Sequence, residues 1–581
     1  MRWLAVLGFA LLAASTSRAA AAQDCAAMWQ GAFSGALACE PYTPSTAADG
    51  ATFYVETGGS ASDDVKKAVL DIAADAFVAA KAVYSQWGAL APVVFIAVKD
   101  NHPSYNANTA AIWGLAIVDK RRPGEACPVV LYPAMGDAAD GQRVRQLVAH
   151  ELWHCFQFDN LRAQLNGDPP PGVQQYWTDI TMWWAEGSAD YFANLVFPAA
   201  NLERNGQTRF DFKKPLHLQS GAGAYGVSLF FQSMGNTNSP EAVVAFLKAL
   251  PANGNQDAQR AALAAYGGLN TDFHIFAKEV LNNELMDSDG KPVAIDFTGD
   301  QRQTELDEGT TRIAMDMKPF VIRPYVFKLE KGRLYTFPGL GKLAFDEHMK
   351  ASYRFENVWY EANSDLKIDT RCEGMPVSDV LLLFTRTDDS AGGETAGQTP
   401  AEMDVKAETS ECPCDAMEAV PACYAGNWLL DNNAIALAMA DAQAKMKFDS
   451  LSGAIRAQIG AGGKLTLRLA DWTLLWKRAN ENDSDTLKSL KLVFSGEFEG
   501  FMGKAKSGKM CFIPTADRTK LFYEAMVSYW GMSDEMGAAL TNPMSEPMTA
   551  TEADFNCVGD EIFYSFPVNG KTFQGRLTRE P

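Results

Sequence analysis

The sequence predicts a multidomain protein, with an α+β domain at its N-terminal end followed by two domains built almost wholly of β-strands. Three observations lead there. The chain has 581 residues, too many for one hydrophobic core, and 47% of them are apolar, enough for several. Between residues 50 and 300, short β-type runs give way to long helical ones. Beyond Asp307 the helical spacing stops, and brief apolar runs separated by turns take over.

Arg2, an apolar run from Trp3 to Ala14 and the small residues Ala20-Ala21-Ala22 predict a signal peptide over residues 1–22, cut near Ala22. The mature protein is then secreted or periplasmic. Gln23 and Asp24 precede Cys25, where a lipid anchor needs small residues. No other apolar run reaches the roughly 18 residues of a membrane span, so no stable membrane insertion is expected.

The first folded domain is assigned to residues 23–306. Phe53–Glu56 reads as a strand, Asp63–Trp87 as a long Ala-rich helix and Pro92–Val98 as a buried strand. Ile112–Val118 and Cys127–Tyr132 follow as strands, and Gln142–Phe158 as an uninterrupted helix. That helix carries His150-Glu151-Leu152-Trp153-His154. Residues four apart stack on one face, so His150 and His154 present two imidazoles to one point. Glu151 projects beside that point, where it can take a proton from a metal-activated water. Of six histidines in the chain, two fall at this spacing. The pattern predicts one catalytic Zn2+.

Downstream, Met182-Trp183-Trp184-Ala185-Glu186-Gly187-Ser188-Ala189-Asp190-Tyr191-Phe192 reads as a second helix, within a stretch over residues 178–285 that is mostly helical. A carboxylate turned inward among aromatics needs a partner, and a zinc ion shared with His150 and His154 would serve Glu186. Asp190 lies four residues on, on the same face. It can accept the free ring N–H of a ligating histidine and fix its tautomer.

HExxH, then a helix carrying Glu-x-x-x-Asp with Trp before the Glu and Gly after it, resembles the gluzincin metallopeptidases of the thermolysin and aminopeptidase kind. The resemblance covers roughly residues 50–300. It implies a zincin-like catalytic domain with His150, His154 and Glu186 as zinc ligands, Glu151 as general base and Asp190 as the acceptor behind a ligand. The last strand before the metal helix, Cys127–Tyr132, is placed to hold an extended peptide along the cleft. The chain departs from other members in a longer interval between His154 and Glu186, containing Asp168-Pro169-Pro170-Pro171-Gly172, and lacks the Gly-Ala-Met-Glu-Asn motif of aminopeptidases. Asn160 stands where a metzincin has its third histidine. Gluzincins stabilise the oxyanion with a later Tyr or His. Tyr225, in Gly223-Ala224-Tyr225-Gly226, is the candidate and His217 its rival.

Phe320-Val321-Ile322, Tyr325–Leu329, Leu334–Phe337 and Val380–Phe384 predict a β-sandwich over residues 307–408, with Asp388–Pro400 a long loop or linker. Residues 409–581 form the third domain. Gly426-Asn427-Trp428 opens it, strands follow at Lys464–Leu469, Leu490–Phe494 and Ile562–Phe566, and it ends Gln574-Gly575-Arg576-Leu577. Gly-x-Trp near the first strand and an Arg in the last resembles lipocalin-type barrels, which implies a Trp closing one end with the Arg across it. Such a barrel could hold an apolar ligand or serve only as a packing module.

Formal charge is −20, and losing Arg2 and Arg18 takes it to −22. That excludes nucleic acid as a partner on electrostatic grounds. Ten cysteines in an exported chain read as disulfides; a Cys127–Cys155 bridge would pin a strand to the metal helix, although sequence does not fix the pairing. Cys412-Pro413-Cys414 with Cys423 is a rival metal cluster without a histidine. Three motifs are set aside: Gly221–Gly226 (GxGxxG without a preceding strand), Gly503–Lys509 (GxxxxGK followed by Met510) and Asp287-Ser288-Asp289-Gly290, a turn rather than a calcium loop. The expected activity is peptide-bond hydrolysis on peptide or protein substrates, as an endopeptidase. The competing expectation is a non-catalytic extracellular binding protein on the same scaffold.

Overall fold

The computed structural model describes residues 23–24, 38–57, 63–98, 114–116, 125–132, 141–161, 181–201, 203–251, 255–299, 301–315, 318–340, 348–355, 357–362, 366–372, 377–388, 401–412, 414, 419–431, 447–477, 487–505, 507–514, 521–529, 536–543, 551–568 and 571–580. The expected signal peptide, Cys25, the Pro-rich loop 168–172 and nearly all of the 388–400 loop lie outside them. The chain divides into two compact units, Met1–Thr298 and Gly299–Pro581.

In the first unit, β1 (Gln23–Asp24), β2 (Ala38–Tyr42), β3 (Ala51–Glu56), β4 (Val93–Ala97), β5 (Gly114–Ala116) and β6 (Cys127–Leu131) form one mixed sheet in the order β1-β2-β3-β4-β6-β5. β3, β4 and β6 run parallel, with β3 joined to β4 across α1 (Asp63–Tyr84), and β5 lies antiparallel against β6. The consecutive apolar residues of β4, all buried, are what a central parallel strand requires. Among the described residues, β1 and β5 are the edge strands of this sheet. This corrects the expectation for Cys127–Tyr132: β6 has both edges paired and cannot receive a further strand.

Beneath the sheet lie α2 (Gly141–Asn160) and α3 (Met182–Val196). Val69, Leu70, Ala73, Phe77, Ala80 and Tyr84 bury the inner face of α1 at helical spacing. α2 is buried on every side from Gln146 to Phe158, which explains its run of apolar and aromatic residues. Trp153 stacks on Phe192 of α3 with ring centroids 3.6 Å apart, and Tyr84 donates from its hydroxyl to the Ala149 carbonyl at 3.0 Å. Cys127 and Cys155 are bridged, so the sheet is covalently tied to α2. Shorter helices follow: α4 (Arg204–Gln207), α5 (Ala222–Gly226), α6 (Ser228–Thr237), α7 (Pro240–Ala249), α8 (Gln256–Ala265) and α9 (Leu269–Asn282). Asp287–Gly290 is a turn, with the Gly290 amide donating to the Asp287 carbonyl and Asp287 paired to Arg204.

The second unit opens with two sheets around one core that includes Tyr325, Phe327, Tyr335, Phe337, Tyr353 and Phe384. One sheet contains β8 (Gly309–Met315), β10 (Arg333–Phe337), β13 (Leu366–Asp369) and β15 (Ala401–Thr409). The other contains β7 (Arg302–Glu305), β9 (Arg323–Lys328), β11 (Met349–Phe355), β12 (Val358–Glu361) and β14 (Val380–Arg386). β7 pairs with β9, so this layer begins before Asp307. β15 returns beside β8 and β10, so the chain on both sides of the 388–400 segment belongs to the same pair of sheets.

A closed barrel completes the unit. Its eight strands are β16 (Gly426–Leu430), β17 (Lys447–Ile459), β18 (Lys464–Lys477), β19 (Leu487–Lys504), β20 (Met510–Pro514), β23 (Thr551–Val558), β24 (Glu561–Val568) and β25 (Lys571–Arg579), with the ring closed by β18–β19 pairing. The other half of β19 carries β21 (Leu521–Tyr529), which pairs β22 (Met536–Pro543). Cys412 bridges to Cys372 and Cys414 to Cys511, tying both neighbours of residue 413 into the two layers. That removes Cys412 and Cys414 from any metal cluster with Cys423. Trp428 is fully buried, as a barrel plug should be, but its cation is Arg579 at 4.3 Å from the ring. Arg576 pairs with Asp431 and Glu561 instead. Arg579 stands directly opposite Trp428 in the ladder, and Arg576, an odd number of residues away, faces the other side.

Candidate metal centre

α2 and α3 meet so that three acceptor atoms converge. His150 Nε2 lies 3.1 Å from His154 Nε2, Glu186 Oε2 lies 3.2 Å from the first and 3.5 Å from the second. The three side chains form a group able to hold a metal ion. Tetrahedral zinc with ligands at about 2.0–2.1 Å puts neighbouring ligand atoms roughly 3.3–3.4 Å apart, and the observed spacings bracket that value.

The other ring nitrogens decide what faces that point. His150 Nδ1 is 2.8 Å from Asp190 Oδ1, and an ionised carboxylate only accepts, so this nitrogen carries a proton. His154 Nδ1 is 2.9 Å from Gln157 Oε1. Gln157 cannot turn its amide round, because its Nε2 donates to the Ala185 carbonyl at 2.9 Å and to Ser188 Oγ at 2.8 Å. His154 Nδ1 therefore donates as well. Neutral imidazoles so held aim two lone pairs, beside a carboxylate oxygen, at one small volume. A cation is the species that satisfies all three.

Charge tells the same story in the metal-free protein. Burial pulls both imidazolium ions down, but Asp190 and Glu186 overcome it for His150, and Glu186 for His154, leaving both above the ordinary range. Burial pushes Glu186 up, yet His154 and His150 carry it far below the usual carboxylate range.

Glu151 is within the field of both histidines and of Glu186 without joining the ligand group. Its Oε2 accepts from the Ala116 amide of β5 at 2.7 Å, and burial raises its affinity for a proton. The Tyr225 ring lies 6.0 Å from that of His150 and nearly parallel to it, with the hydroxyl donating to Glu186. The Glu186 charge, then burial, holds that hydroxyl well above its ordinary range and protonated. Gly187 makes this approach possible: a Cβ there would meet the Val227 Cβ at 2.7 Å and the Ala224 carbonyl at 3.1 Å. His217 sits buried in the turn Leu216–Leu218.

His150, Glu151, His154, Glu186, Asp190 and Tyr225, six of the residues singled out for chemistry, thus meet in one place. Sequence reasoning missed Gln157 and the Ala116 amide. Gln157 stands three residues beyond His154 on the same helix, a spacing that could have flagged it.

No protein family's profile matches the chain, and no curated protein matches it either. Among solved structures, the full extracellular region of zebrafish Gpr126/Adgrg6 aligns at 9% identity with a TM-score of 0.13, over 48% of this chain and 33% of that one. The chain spans about a third of that protein's length, and the likeness is too slight to carry an argument. Among the described residues, no helix is long and apolar enough to cross a membrane.

Proposed function

We propose that this protein is an exported zinc-dependent peptidase, an endopeptidase of the gluzincin kind, acting on peptide or protein substrates. The observation that carries the reading is the convergence of His150, His154 and Glu186 with both Nδ1 positions committed as donors. Zinc bound by these three side chains would supply Lewis acidity and make water nucleophilic near neutral pH. The chain's own groups do the rest. Glu151 takes the proton of the attacking water and delivers it to the leaving amine nitrogen, a role suited to a buried carboxylate of raised pKa. Tyr225, held protonated, donates to the carbonyl oxygen as charge develops there.

The extended substrate lies along β5, an edge strand among the described residues, whose Ala116 amide already points at Glu151. Disulfides in both units accord with an oxidising, extracytoplasmic location. The zincin-like and lipocalin-like assignments of the first unit and the barrel belong to this reading. A structural metal site needs no neighbouring carboxylate outside its ligand set, so Glu151 favours catalysis over a binding scaffold.

The test is a peptide-library digest of wild type beside Glu151→Gln, with metal content measured for both. The variant is expected to keep one zinc and lose at least about 10²-fold in hydrolysis, the low end of general acid–base contributions. Unchanged turnover in that variant would refute the mechanism.

A further inference from the structure

Two cysteines in the barrel remain thiols: Cys423, exposed in the turn Ala422–Tyr424, and Cys557, partly exposed on β23. Cys39 and the six cysteines of the three described bridges are all oxidised, so the pair is an exception to the chain's own pattern.

The two thiols are in hydrogen-bonding contact. That contact is held by the fold around it. The Tyr424 hydroxyl donates to the Phe555 carbonyl at 3.0 Å, and the two rings lie edge to face at 6.5 Å, fixing the turn against β23. Arg579 donates from Nη2 to the Cys423 carbonyl at 2.8 Å and from Nη1 to the Ala425 carbonyl at 3.0 Å. Trp428 Nε1 donates to the Tyr424 carbonyl at 2.8 Å. Three anchors thus surround the turn and hold Cys423 beside β23.

We propose that Cys423 and Cys557 form a further disulfide, which latches the turn ahead of the first barrel strand to β23 and holds the Trp428–Arg579 end of the barrel closed. The electron acceptor is a disulfide-bearing thiol oxidoreductase of the compartment in which the other bridges form. The exposed Cys423 thiolate attacks that disulfide to give a mixed disulfide. Cys557 then displaces it, forming the Cys423–Cys557 S–S bond and releasing the oxidoreductase as a dithiol. The two electrons, and the two protons shed by the cysteines, end on that dithiol.

The experiment uses the full chain matured in an oxidising compartment, alkylated under denaturing conditions without reductant and digested for mass spectrometry. The expected result is a linked Cys423–Cys557 peptide pair, lighter by two hydrogens than the sum of its thiol forms, with neither cysteine alkylated. Quantitative alkylation of both, in a sample where Cys127–Cys155 is intact, would overturn the proposal; so would a bridge from either cysteine to a different one. Cys423→Ser, Cys557→Ser and the double variant provide a second readout. A shared crosslink predicts the same lowering of the barrel's thermal transition in all three; additive losses in the double variant would count against it.

Discussion

Glu203 offers a quantitative test of the packing around α2. It is 1% exposed, and Gln146, one turn before His150, donates to its Oε2 at 2.5 Å. Its Oε1 has no hydrogen-bond partner among the described residues. Burial, with smaller contributions from Asp287 and Asp190, pushes its carboxyl up to about 7, against the lowering effect of the Gln146 amide; Arg204 next to it is engaged with Asp287. At about 1.4 kcal/mol per pH unit, the gap between the ordinary 4.5 and about 7 corresponds to about 3 kcal/mol. Between those values the unfolded chain has released this proton and the folded one keeps it, so stability falls as pH rises through the window. Below about 4.5 both states are protonated; above about 7 both are ionised and the penalty is constant. Glu203→Gln keeps an oxygen for Gln146 and removes the charge. The variant should match wild type near pH 4 and exceed it by about 3 kcal/mol at pH 8. Guanidinium unfolding at several pH values, with a chelator throughout, measures the difference while titrations common to both proteins cancel. A difference that does not change between pH 4 and 8 would refute the reasoning.

The orienting role of Gln157 predicts that Gln157→Leu lowers zinc affinity roughly 10–100-fold, with Gln157→Glu retaining most of it, as chelator competition would record. Removing the Cys127–Cys155 bridge by paired Ala substitution opens a loop of 28-residue separation and should cost about 3.6 kcal/mol by the loop-entropy relation, read from the midpoint of the first unit's unfolding. Gly187→Ala forces a methyl against Val227 and should cost about 1–3 kcal/mol, read as a lowered melting temperature, while moving Tyr225 away from Glu186.

The helices were legible because their apolar spacing is local: α2 and α3 fall within a few residues of the spans that periodicity gives. The ligand group was legible for the same reason, since spacing on a helix fixes which side chains share a face. What sequence could not supply depends on pairing between distant segments. β5 has only three residues, and its place at the edge is decided by β6, not by its own composition. Gln157 acquires its role from Ala185 and Ser188, which α3 brings to it. Arg576 and Arg579 are equivalent in a linear reading; the register that sets Arg579 opposite Trp428 separates them. The Gly- and Ser-rich 388–400 stretch has a linker's composition, and nothing in it announces that β15 beyond it pairs back with β8.

The same contacts bear on why a metal would be held here at all. A purely structural ion gains its worth by gathering ligands that would otherwise disperse. In this chain they are gathered already. Trp153 stacks on Phe192 and donates to Ser188, Gln157 reaches across to the Ala185 carbonyl, and the Cys127–Cys155 bridge anchors the residue after His154. Every one of these links is made by a side chain outside the ligand group. The binding energy of a cation is therefore not needed to assemble α2 and α3. Glu151 of α2, held by the Ala116 amide of β5, and Tyr225 of α5 lie beside the group from separate elements. Donors gathered in this way beside a buried carboxylate and a protonated hydroxyl are what the proposed peptidase would need for turnover.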